Sequence, residues 1–172
     1  MPSPSIVRPA TIQDLSEVWR LLRLLWTENA MFAISDAKVQ YYLDRLLDPQ
    51  SIAPNDTGPR GFIGVIGPVG ALEGAIMLTV GSMWYSDEYT LDEHLNFVDP
   101  AHRQSEHAKS LISYAKMCAE KIGIRLVIGV LSTKRTAAKV RLYERQLTPC
   151  GQFFVHPAPN DVEPPTRRYR TQ

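Results

Sequence analysis

The residues best suited to chemistry lie between positions 95 and 111, where a strand pattern changes into a helical one. The apolar run LNFV ends at Asp99-Pro100, and His102 and Arg103 then lead into the amphipathic segment RQSEHAKSLISYAKMCAEKIG. The first N–H groups of such a helix have no partner within it, and the helix dipole adds partial positive charge beside them. This turn therefore predicts a site for a phosphate or pyrophosphate group.

A second segment, KVRLYER, places Tyr143 among basic residues of a short helical pattern. It follows the continuous apolar run at 124–131, which is typical of a buried central strand. By spacing alone, an aromatic residue at this place fits the edge of a hydrophobic core better than a reactive site. Whether Tyr143 has a chemical role therefore depends on how the segment at 95–111 is interpreted.

Together the two segments resemble the GCN5-related N-acetyltransferase (GNAT) family. The upstream family signature reads V-x-x-x-x-R/Q-x-x-G-x-G/A-x-x-L. Val98, Arg103, Ala108 and Leu111 stand at the matching places, whereas Glu106 replaces the first glycine. The sequence also resembles a subgroup of GNAT proteins that is often found in tailed-phage and prophage genomes.

The downstream segment is similar to the family pattern A-x-x-L-Y-x-K/R-x-G-F. Leu142, Tyr143 and Arg145 match it, whereas the Gly-Phe that ends the pattern is absent. In the family this tyrosine lies near the acetyl-CoA sulfur and often protonates the departing thiolate, which implies the same role for Tyr143. A phenol with a pKa of about 10 suits that role because it is protonated at neutral pH.

The resemblance implies an acetyl-CoA-dependent N-acetyltransferase that moves acetyl directly to a primary amine in a ternary complex, without a covalent enzyme intermediate. Pantetheine is expected along the strand at 96–98 and pyrophosphate over the turn at 103–109. Thr136 stands where the family often has an asparagine. The implied cofactor-binding residues are Asn96, Phe97, Val98, Arg103, Gln104, Ser105, Glu106, His107, Ala108, Lys109 and Thr136.

Acetylation needs a neutral amine, so a carboxylate or a histidine must take the amine's proton. Alternation from Val98 places His94 on one face of the strand and Glu93 on the other, until a bulge exchanges them. GNAT members often bulge this strand and carry a glutamate on it, so the resemblance favours Glu93 as the base and His94 as the second choice. Both residues also fit a purely structural role as solvated side chains of a half-exposed strand.

Glu106 is the clearest departure from the family signature. A carboxylate that faces the pyrophosphate would repel it, by about 1 kcal/mol per charge pair at ~4 Å in water. An acidic side chain in the first helical turn also stabilises the helix dipole when it points outward. Because several cationic or donor side chains share the turn, we expect Glu106 to face solvent.

Composition excludes several other classes of protein. The chain has 172 residues, with 19 basic and 18 acidic side chains, and it has no basic run typical of nucleic-acid binding. No apolar stretch approaches the roughly 20 residues that span a bilayer, and the N-terminus has no apolar targeting segment. Cys118 and Cys150 lack metal-ligand spacing. The sequence predicts a cytoplasmic protein with reduced cysteines and no metal site.

The order of elements predicts an α+β fold. A short strand and two amphipathic helices precede a hairpin with a third strand, followed by helix, strand, helix and strand. This is also the order of the GNAT fold, and it implies a mostly antiparallel, mixed sheet of about six to seven strands with about four helices. We expect one domain over 1–156 and a loosely ordered, Pro-rich tail at 157–172.

Two alternatives to an amine acetyltransferase stay open. One is a non-catalytic GNAT-like binding or regulatory module, which the altered glycine positions favour. The other is a GNAT toxin that acts on aminoacyl-tRNA, favoured by the basic cluster Lys134, Arg135, Lys139, Arg141 and Arg145 but opposed by the near-neutral net charge. The sequence leaves open whether the acceptor is a small molecule or a peptide, and whether the protein is a homodimer.

Overall fold

The structure is a computed structural model that describes residues 6–29 and 31–156. The tail predicted at 157–172 lies outside these residues. The described strands are β1 (Arg8–Pro9), β2 (Gly61–Ile66), β3 (Gly74–Ser82), β4 (Tyr89–Val98) and β5 (Arg125–Val127). The α-helices are α1 (Leu15–Asn29), α2 (Asp36–Leu47), α3 (His107–Ile122) and α4 (Thr136–Glu144). The α+β class and the four helices are confirmed.

Helix α1 starts after a capping box formed by Thr11 and Asp14. The backbone N–H of Thr11 donates to the Asp14 carboxylate at 2.9 Å, and a single 3₁₀ turn at Ile12–Asp14 precedes the helix. The Arg8 guanidinium on β1 donates to both oxygens of the same carboxylate, at 2.8 and 2.9 Å. Asp14 is fully buried, so this ion pair joins the first strand to the first helix.

The strands lie in the sheet in the order β1-β2-β3-β4-β5. The first four pair antiparallel, and β4 pairs with β5 in parallel. The β4–β5 pairing extends only from Thr90 to Asp92 on β4, opposite Arg125 to Val127. Beyond Asp92 the two strands are no longer paired, and this separation makes room for the site described below.

The prediction of six to seven strands is wrong, since the described residues form five. The apolar run at 124–131 contributes only three residues, at an edge of the sheet, and Gln152 to His156 form no strand. The Phe153 ring instead lies against the backbone at Gly129, where an added Cβ would be 2.5 Å from a ring atom. At this position the Phe153 ring packs on Gly129, and no described strand pairs with the outer edge of β5.

A β-bulge on β4 determines which side chains share a face of the sheet. Met77 pairs with Leu95 and Leu78 pairs with Glu93, so His94 is an extra residue without a partner on β3. Without it, Glu93 and Asn96 would point to opposite faces, because they are three residues apart. The bulge brings both side chains to the face that α3 covers.

Apolar side chains cover both faces of the sheet. Helices α1 and α2 pack on one face, where the buried core includes Val18, Leu21, Leu43, Leu46, Ile63, Met77 and Leu95. Helix α3 packs on the other face, where the core includes Ile76, Leu78, Leu91, Val98, Leu111 and Ala115. Two helix layers on one sheet hold β4 rigidly between them. Among the described residues, no helix has the length and apolar character needed to cross a membrane.

Candidate active site

An open cleft of about 600 Å³ lies where β4 and β5 separate. One wall is the C-terminal half of β4 with the turn and first residues of α3, and the opposite wall is α4. The end of α1 contributes one residue. The lining residues are Glu28, Asn96, Phe97, Val98, Arg103, Ser105, Glu106, Ala108, Lys109, Arg135, Ala138, Lys139, Leu142, Tyr143, Arg145 and Gln146.

The edge of β4 that faces the cleft has free hydrogen-bonding capacity. Among the described strands, none pairs with residues 93–98 on this side. The Asn96 amide nitrogen is buried without a hydrogen bond of normal geometry, and the Asn96 side chain lies near the Tyr143 phenol. The Val98 carbonyl accepts a long bond of 3.3 Å from the Arg103 side chain. A ligand with amide groups could bind the unpaired backbone groups along this edge.

The cleft has a strong excess of positive charge, although the chain as a whole is nearly neutral. Its lining carries two carboxylates, Glu28 and Glu106, against the cations Arg103, Lys109, Arg135, Lys139 and Arg145. Glu28 lies 2.6 Å from Arg103 and Glu106 lies 3.2 Å from Lys109, so two of these five cations are already paired. The remaining excess favours an anionic ligand.

Glu106 lies at the mouth of the cleft. It immediately precedes α3, and its φ of −82° is an ordinary conformation for a residue with a side chain. The side chain is 59% exposed, and its carboxylate lies 3.2 Å from the Lys109 ammonium group one turn on. The backbone here does not require glycine, and the ion pair partly neutralises the carboxylate.

Glu93, Tyr143 and Lys139 lie near one another at the inner end of the cleft. Burial raises the pKa of Glu93 to about 8, with the Lys139 charge acting against this rise. Burial also raises the pKa of Tyr143, and the nearby Glu93 carboxylate adds to the effect while the Asn96 side chain opposes it. Glu93 does not line the cleft itself but lies behind Tyr143 and Lys139. This arrangement combines a phenol that stays protonated with a carboxyl group that ionises just above neutral pH.

Besides Glu93, four of the predicted site residues do not line the cleft. His94 points to the other face, where its Nε2 lies 2.6 Å from the Thr79 hydroxyl. His107 turns back to Glu73, 2.5 Å away. The Thr136 hydroxyl donates to the backbone carbonyl of Ser132 at 3.0 Å. The fourth is Gln104.

The other predicted residues around Asn96 and Arg103 come together in the cleft. Glu28 was not predicted as a site residue, and Lys139 was predicted only as part of the basic cluster. Lys139 is four residues before Tyr143 on α4, so helical spacing places both on one face. Glu28, at the end of α1, is distant in sequence from every other lining residue, and no local pattern marks it. No cluster of His, Cys, Asp or Glu in the described ranges could hold a metal ion.

Of the comparisons with known proteins, only the comparison with solved structures found matches. No protein-family model and no curated protein sequence matches this chain. Among solved structures, AAC(6')-Iy, determined with the bisubstrate analogue CoA-S-monomethyl-acetylneamine, matches with a TM-score of 0.65 and 14% identity, over 91% of this chain and 99% of that chain. The ribosomal-protein-alanine N-acetyltransferase of Brucella melitensis biovar Abortus 2308 matches with a TM-score of 0.64 and 16% identity, over 89% and 97% of the two chains.

A third match is an aminoglycoside acetyltransferase from an uncultured soil metagenomic sample, determined with sisomicin. It has a TM-score of 0.59 and 18% identity, over 89% of this chain and 93% of that chain. All three matches cover nearly the whole of both chains at low identity. At this low identity they show a shared backbone fold and assign no role to particular side chains. The chain has the fold of the GNAT-type acetyltransferases.

Proposed function

We propose that the protein is an acetyl-CoA-dependent N-acetyltransferase that transfers acetyl directly to a primary amine in a ternary complex. The observation that carries this proposal is the cationic cleft beside the unpaired edge of β4. A structure with the same fold, AAC(6')-Iy, was determined with a CoA-linked bisubstrate analogue. Acetyl-CoA supplies an activated acetyl thioester.

The lining residues fit the two ends of such a ligand. The edge of β4 offers unpaired backbone groups, among them the Val98 carbonyl as an acceptor, to the amide groups of a pantetheine chain. The N-terminus of α3 offers backbone N–H groups to a pyrophosphate, with Lys109 and Arg145 close by. Arg103 supplies a further cation once it leaves Glu28, to which it is bound here.

Two residues handle protons in this proposal. Tyr143 donates a proton to the departing sulfur, and its raised pKa keeps the phenol protonated at neutral and mildly alkaline pH. Glu93, partly exposed behind it, accepts the proton of the incoming amine through water. A carboxyl pKa near 8 is close to neutral pH, where a general base is most effective.

The basic cluster that favoured an RNA substrate is divided in the structure. Arg135, Lys139 and Arg145 line the cleft, where the proposed cofactor accounts for their charge, and Lys134 and Arg141 are exposed outside it. The two cations that lie outside the cleft do not by themselves form an extended surface for RNA phosphates. We therefore infer that the acceptor is a small-molecule or peptide amine in the cytoplasm.

The proposal is tested by measuring release of free CoA thiol from acetyl-CoA in the presence of a panel of amines. The panel includes aminoglycosides, polyamines and peptides with free N-termini or lysines. We expect at least one class to give turnover above the rate without acceptor, with the acetyl group found on the amine by mass spectrometry. Binding of acetyl-CoA without transfer to any amine would favour the non-catalytic alternative instead.

A further inference from the structure

Lys139 is an amine that the fold places inside its own cofactor cleft. Its side chain lines the cleft one helical turn before Tyr143, on the same face of α4. The ammonium nitrogen donates to the Ser132 hydroxyl at 2.9 Å. The Ser132 hydroxyl is buried and lies 2.8 Å from the Asn29 side-chain oxygen and 2.6 Å from the Lys134 carbonyl, which fixes its position. Lys139 is therefore held in one place, unlike a surface lysine.

The charged groups around Lys139 come from four parts of the fold. Glu28 on α1 and Glu93 on β4 favour its charged form, whereas Arg103 before α3 and Arg135 at the start of α4 oppose it. Burial is the largest effect, and the pKa of Lys139 is lowered. A larger share of Lys139 is therefore a neutral amine, and so a nucleophile, than for a lysine in water.

We propose that Lys139 is a self-acetylation site, modified by acetyl-CoA bound in the same chain. This inference rests on the proposed function. The neutral Nζ of Lys139 attacks the thioester carbonyl carbon, an N–C bond forms, and the C–S bond breaks. The nitrogen loses one proton to Glu93, and the departing sulfur gains one from Tyr143. The products are N-acetyl-lysine and free CoA thiol, and no other reactant is needed.

Lys109 provides an internal comparison. It also lines the cleft, but its side chain is 64% exposed and its ammonium group lies 3.2 Å from the Glu106 carboxylate. It is at the mouth of the cleft, beside the expected pyrophosphate and away from the expected thioester. Lys109 should therefore be acetylated only as slowly as other surface lysines.

Acetylation of Lys139 would change the cleft in two ways. It removes one of the lining cations, and it adds an acetyl group next to Tyr143. Both changes oppose the binding of another CoA molecule. We expect the acetyl-lysine mimic Lys139→Gln to bind CoA about fivefold more weakly than the charge-preserving variant Lys139→Arg.

The test incubates the purified full chain with acetyl-CoA at neutral and mildly alkaline pH. Intact mass and peptide mapping then follow the acetyl group, alongside an assay of free thiol. We expect one acetyl group on Lys139, one thiol released per acetyl group, a rate constant independent of protein concentration, and resistance to hydroxylamine. Lys139→Arg should abolish this modification, and Lys121→Arg, at an exposed lysine of α3 outside the cleft, should leave it unchanged.

Four results would overturn the proposal. Calorimetric binding of CoA without acetylation of Lys139 would refute self-acetylation and leave the proposed function intact. Equal labelling of exposed lysines, or labelling of heat-denatured protein at the same rate, would show simple chemical acetylation. An acetyl group on Ser132 that hydroxylamine removes would show that the hydroxyl is the nucleophile. Absence of both CoA binding and acetylation would refute the proposed function as well.

Discussion

We expect Tyr143→Phe to lower turnover by about 100-fold on whichever amine is the acceptor, while acetyl-CoA binding changes little. The substitution removes the phenolic proton and leaves the ring, so packing along α4 is retained. In the structure the phenol is in the group that also contains Glu93 and Asn96, at the inner end of the cleft. Steady-state kinetics together with calorimetric titration separate the effect on chemistry from the effect on binding.

The control for this variant is Tyr114→Phe. Tyr114 is a half-buried phenol on α3 that packs edge-on against Phe62 and does not line the cleft. It should keep normal turnover. Unchanged turnover in Tyr143→Phe would assign Tyr143 to packing, and loss of both turnover and binding would show that the substitution disturbs the cleft.

The second large effect concerns Glu93→Gln, which we expect to lower turnover by about 100-fold or more at mildly alkaline pH. The wild-type carboxyl has a pKa of about 8, so it is mostly protonated at neutral pH and becomes a base as the pH rises through this value. Turnover of the wild type should therefore increase through about pH 8. The glutamine variant should lack this increase. A wild-type rate that falls through the same range would instead make Glu93 the acid.

Folding stability gives a check on Glu93 that does not require an acceptor. The folded carboxyl holds its proton up to about pH 8, whereas the unfolded chain loses it near 4.5. The resulting contribution to the free energy of unfolding is complete below pH 4.5 and is lost as the pH rises to about 8. Over this range the free energy of unfolding falls by at most about 1 kcal/mol per pH unit. Urea melts at several pH values should show a smaller slope for Glu93→Gln.

Local patterns in the sequence predict the parts of this fold that local physics controls. Thr11 and Asp14 form their capping box because the partners are three residues apart. The break at Asp99-Pro100 and the start of α3 also fall where the pattern predicts, since a proline and a new apolar period mark them. Such features depend on few neighbours and can be inferred from one sequence.

Features that depend on distant parts of the chain could not be inferred in the same way. The apolar run at 124–131 is typical of a buried strand, but its place at an edge of the sheet depends on where Phe153 packs. Alternation alone cannot locate the bulge at His94, which brings Glu93 and Asn96 to one face. Glu28 reaches the cleft only because α1 crosses the sheet beside the turn that contains Arg103.

The claim that the cleft binds acetyl-CoA is tested most directly by calorimetric titration of the purified protein. We predict saturable binding of one acetyl-CoA per chain that weakens as salt is added, because the cleft carries an excess of cations. The charge reversal Arg145→Glu should weaken it by at least about tenfold. The matched reversal Arg125→Glu, at an exposed residue of β5 that pairs with Glu88, should have little effect. No binding at millimolar acetyl-CoA, or equal binding by all three proteins, would contradict the account.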